Sequence, residues 1–105
     1  MSDQAAEKRS TARKRIARNG KIVFPNFAAI LDCTMRDVSD TGAKLIALNG
    51  QGVPDRFGLV LITDQVMRDA KVVWRRGNEI GVEFEGDAVD LTKTRSPRLQ
   101  QFRMP

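Results

Sequence analysis

The stretch "RDVSDTG", residues 36–42, sets Asp37, Ser39 and Gly42 at the spacing D-x-S-x-x-G, with a second acid at Asp40. An ionised carboxylate only accepts hydrogen bonds, whereas a hydroxyl both donates and accepts. Glycine marks a place where the chain takes positive φ or where something approaches the backbone closely. One reading is a plain turn, since Asp and Ser side chains bond neighbouring amides. The other is a ligand-facing corner. Upstream, Lys8, Arg9, Arg13, Lys14, Arg15, Arg18 and Lys21 form a cationic block, with no acid between Glu7 and Asp32. Such blocks are solvated when idle and meet phosphate when used. Charge alone puts nucleic acid first and a phosphorylated small ligand second.

Other chemistries are poorly provided for. The chain has no histidine, the commonest general base and zinc ligand. Its acids are scattered, so neither a carboxylate metal site nor a paired-acid hydrolase suggests itself. No phosphate-binding glycine loop occurs. Cys33 shares an alternation with Leu31 and Met35, which predicts a buried, inert thiol rather than a nucleophile. No enzyme, metal or cofactor is expected. The lone cysteine, the lack of a secretory signal and the lack of any apolar run approaching the ~18 residues of a membrane span predict a cytoplasmic protein.

The elements that must hold these residues read as all-β. Residues 1–20 are polar and basic, a flexible arm. A barrel region over 21–86 follows, then a polar tail, 87–105. Within the barrel, "KIVF" is short and apolar, and "AAILDCTMRD" alternates with the period of a half-buried strand. "AKLIAL" follows Gly42. "FGLVLIT" is nearly continuous, as in a strand buried on both faces. In "RDAKVVWRR", Val72 and Trp74 share a face, with Trp74 expected in the core. Gly77-Asn78 make a hairpin turn into "IGVEFE", where Ile80, Val82 and Phe84 point one way. Six short strands with turn signals between them predict a small six-stranded antiparallel β-barrel. A short helix fits the tail around 88–95 or 98–103.

The order of these elements resembles the PilZ domain, the bacterial receptor module for cyclic di-GMP. The likeness rests on R-x-x-x-R in "RSTAR" (Arg9, Arg13), on D-x-S-x-x-G in "DVSDTG" (Asp37, Ser39, Gly42), and on the closing hairpin "VVWRRGNEIGVEF". It spans roughly residues 8–85. Lys14 and Arg18 also fit the first motif's spacing, with lysine in the first place. Arg9 and Arg13 are favoured because both are arginines and Arg13 stands 24 residues before Asp37, and Lys14 and Arg15 then resemble the basic residues that flank the family motif.

The resemblance implies a ligand site of Arg9, Arg13, Lys14, Asp37, Ser39 and Gly42. Arginine's planar fork suits phosphate oxygens or the guanine O6/N7 edge. Asp37 suits the guanine N–H donors, and Ser39, on alternate residues of an extended chain, would point the same way. The implied function is a cytoplasmic, non-catalytic receptor for cyclic di-GMP whose arm changes conformation on binding and signals to a protein partner. Two alternatives stand beside it. One is a PilZ-like interaction adaptor that does not bind the ligand. The other is a basic single-strand nucleic-acid-binding barrel, disfavoured because such barrels stack bases on exposed aromatics and the aromatics here fit core positions. No membrane insertion is expected.

Overall fold

Strands that alternate apolar and polar residues hide one face by closing on themselves, and this chain does so. The computed structural model describes residues 18–48 and 52–104. Its strands are β1 (Arg18–Val23), β2 (Ile30–Arg36), β3 (Gly42–Ile46), β4 (Arg56–Leu61), β5 (Val66–Arg76) and β6 (Glu79–Asp90). They form a closed antiparallel barrel in the order β1-β2-β3-β6-β5-β4. The expected architecture is the one observed.

Register follows the sequence pattern. Gly20 pairs with Cys33 and Ile22 with Leu31 across β1 and β2, while Leu45 pairs with Ile80 across β3 and β6. Ile22, Met35, Leu45, Leu59 and Ile80 have no exposed surface, so each of these strands sends an aliphatic side chain to one core. Cys33 is buried among them. Gly77, at φ +58, supports the two-residue turn that pairs Arg76 with Glu79.

Three details depart from expectation. β1 begins at Arg18 rather than Lys21, because residues from Arg18 onward already pair with Met35 and its neighbours on β2. β6 runs on to Asp90, so Ala88–Asp90 are strand and not helix. Val66 and Met67 pair there with Asp90 and Val89, past an irregularity in which Gly86 adopts φ +69. The helix, α1, is a single turn at Pro97–Gln100.

The tail is packed as well. Leu91 and Phe102 are buried with Val23 and Val60, forming a second apolar cluster on the outside of β1 and β4. That explains the unbroken apolar run of β4, whose inner residues face the core and whose Val60 faces the tail. Burying a side chain such as Phe102 contributes about 1.5–3 kcal/mol. Polar bonds hold the segment in place. Gln65 Nε2 donates to the Phe102 carbonyl at 3.0 Å, and Gln65 Oε1 accepts from the Met104 amide at 3.0 Å.

Candidate functional site

The corner between β2 and β3 is tied by Ser39. Its Oγ accepts from the amides of Thr41 (3.2 Å) and Gly42 (3.3 Å), and its own amide donates to the Gly42 carbonyl at 2.8 Å. Positive φ falls on Asp37 (+52) and not on Gly42. Asp is among the few side chains that tolerate this conformation readily. Gly42 has another reason to be glycine: a Cβ there would stand 2.2 Å from the Val82 carbonyl oxygen, so the residue permits β3 and β6 to approach. The left-handed turn at Asp37 breaks the extended alternation, yet Asp37, Ser39 and Gly42 still line one pocket of about 320 Å³ on the outer barrel face. Asp37 keeps an exposed carboxylate, with Lys44 Nζ 3.8 Å away.

Trp74 lines the same pocket and is 41% exposed. The expectation of a core tryptophan is corrected here. Val72 pairs with Val82 and Trp74 with Gly81, so Val73 is an extra residue on β5. A bulge of one residue turns the succeeding side chains to the opposite face, and Trp74 therefore leaves the face it would have shared with Val72. Its indole lies on Gly81, where a Cβ would come 2.0 Å from Nε1. The outer pocket thus combines a carboxylate, a lysine and an indole.

On the other side of Ser39 lies the barrel mouth, a recess of about 260 Å³ lined by Arg18, Ser39, Asp40, Asp64, Arg68 and Phe84 among others. Arg18 pairs with the inward-facing Met35, and its Nη1 reaches Asp64 Oδ2 at 3.2 Å. Arg68 lies over the Phe84 ring, 4.7 Å from its centroid. Elsewhere, burial pushes the Cys33 thiol up to about 12, with the Asp32 charge adding to the shift. A thiol held protonated in this way is not a nucleophile. Among the described residues no group of three or more His, Cys, Asp or Glu is placed to hold a metal ion. No helix there is long and apolar enough to cross a membrane.

The family model of the PilZ domain matches residues 7–95. The chain belongs to the PilZ domain family. The match takes in the cationic block, all six strands and the start of the tail. No curated protein and no solved structure matches the chain. PilZ domains are binding and adaptor modules, and the family is one of cyclic di-GMP receptors.

Of the six site residues expected from sequence, the PilZ barrel brings Asp37, Ser39 and Gly42 together. Arg9, Arg13 and Lys14 lie outside the described residues. Arg18, the second arginine of the alternative register, belongs to β1 and faces the mouth. Sequence reasoning missed Trp74, Lys44 and Arg68. A signal for Trp74 was present in "VVW", three successive apolar residues where strict alternation would allow two. Lys44 and Arg68 carried none, since single cations on strands are ordinary surface residues.

Proposed function

We propose that this PilZ domain is a cytoplasmic receptor for cyclic di-GMP, bound at the β2–β3 corner and closed over by the basic arm. The observation that carries the reading is the outer pocket. Asp37 offers an acceptor for guanine N–H donors, Trp74 a face for a base, and Lys44 a positive charge, all around a corner that Ser39 holds still. Arg9 and Arg13, with Lys14 beside them, supply the guanidinium forks for phosphate and for the guanine O6/N7 edge. A ligand held on one side by the barrel and on the other by the arm draws residues 9–14 onto the corner. The joint arm-and-barrel surface is then what a protein partner reads, with no catalytic step.

Trp74 is the only tryptophan and the chain has no tyrosine, so its emission reports this pocket alone. Titration with cyclic di-GMP should change that emission saturably. Arg13→Ala should weaken the midpoint by about 2–5 kcal/mol, the cost of truncating one partner of a desolvated charge pair. If Arg18→Ala has that effect and Arg13→Ala does not, the register is Lys14/Arg18. A saturating ligand that leaves the emission untouched would place the site elsewhere.

One observation favours a second reading. The Ser39 hydroxyl is already engaged by the corner's own amides, as in a motif that shapes a loop and touches no ligand. An adaptor of this kind would give no saturable response to the dinucleotide.

A further inference from the structure

Arg68 stands at the barrel mouth as a half-buried cation with few partners. Its ring stack on Phe84 and one bond from Nη2 to the Gly86 carbonyl, at 3.3 Å, are its contacts among the described residues. Its Nε is buried and donates to nothing there. Removing a cation from water without a counter-charge is unfavourable, and stacking offsets only part of that. Arg68 pairs with the inward-facing Leu59 and alternates with Val66 and Ala70, which aims its side chain into the mouth. Several other arginines of the barrel are in ion pairs, among them Arg18 with Asp64 and Arg56 with Glu85.

Asp40 lines the same mouth. Asp37 has Lys44 near it and Asp64 has Arg18, whereas Asp40, exposed on the corner, has no ion pair among the described residues. A donor fork bonded to a single carbonyl and a carboxylate without an ion pair therefore share one recess. Guanine is the base that matches the two. Its O6 and N7 accept from an arginine fork, and its N1 and N2 hydrogens donate to a carboxylate. Adenine places a donor where guanine has O6 and so meets the arginine badly.

We infer that the barrel mouth is a second guanine seat, in which Arg68 and Asp40 read the base. Ser39 lines both the mouth and the outer pocket, so the two recesses adjoin across one residue. A dinucleotide with two guanines then places one base on each side of the corner. This rests on the receptor reading above and adds to it the residues that set specificity for the second base.

The test compares affinity for cyclic di-GMP with affinity for the mixed dinucleotide cyclic GMP–AMP, which has one guanine. The wild-type protein should prefer cyclic di-GMP by roughly ten- to a hundredfold, the range for one bidentate base contact. Arg68→Met, which keeps an apolar stem on Phe84, and Asp40→Asn should both bring that ratio towards one while the mixed ligand still binds. Loss of overall stability would not produce that change of ratio. Should Arg68→Met fail to fold, Asp40→Asn on the exposed corner decides alone. Equal wild-type affinities, or a ratio unchanged in the variants, would overturn the second seat and leave the receptor standing. Binding of neither dinucleotide would overturn both.

Discussion

At the scale of single residues, two members of the family motif do something other than their types suggest. Gly42 looks like a turn glycine, but the positive φ sits on Asp37, and Gly42 is where β3 meets the Val82 carbonyl. A methyl group there must push two paired strands apart. Gly42→Ala should therefore destabilise the barrel by about 1–3 kcal/mol, the usual cost of overpacking, as read by urea denaturation. A glycine kept only for ligand approach would leave stability unchanged and lower affinity alone. The sequence shows D-x-S-x-x-G plainly. It cannot show the partner strand that makes Gly42 necessary, because that contact joins residues far apart along the chain. Ser39 is a similar case: the hydroxyl is visible in sequence, and its engagement by the Thr41 and Gly42 amides is not.

At the scale of elements, the six strands were legible because inward apolar positions recur at period two and the turns carry Gly, Asn or Asp. What alternation hides is an interruption of itself. The extra residue at Val73 turns Trp74 outward, and the irregularity around Gly86 lets β6 continue into residues that read as tail. The tail looked polar because Leu91, Leu99 and Phe102 are spaced too widely to form a pattern. Yet the continuous apolar run of β4 was the complementary sign, since a strand buried on both faces needs a cover. Phe102 provides part of that cover, against Val23 and Val60. Phe102→Ala should cost about 3 kcal/mol, the lower part of the range for deleting a buried aromatic ring. Loss of well under ~1 kcal/mol would mean that the tail rests on the barrel without holding it. Chemical denaturation followed by far-UV circular dichroism makes the distinction.

At the scale of the whole molecule, a net charge of +5 is divided unevenly between a cationic arm and a barrel whose described cations are largely paired. Charge by itself would attract any polyanion, with an affinity that falls steeply with salt. The barrel adds what charge lacks: acceptors at Asp37 and Asp40, an exposed indole at Trp74 and the Arg68 fork, grouped around one rigid corner. On the proposed reading, the ligand that these groups recognise is small and anionic and carries guanine N–H donors. Calorimetric titration of the purified protein with cyclic di-GMP and, separately, cyclic di-AMP at moderate salt tests this most directly. The expected result is saturable binding of cyclic di-GMP that largely survives added salt, with cyclic di-AMP bound much more weakly. Equal affinity for the two dinucleotides, or no binding of cyclic di-GMP at all, would contradict it.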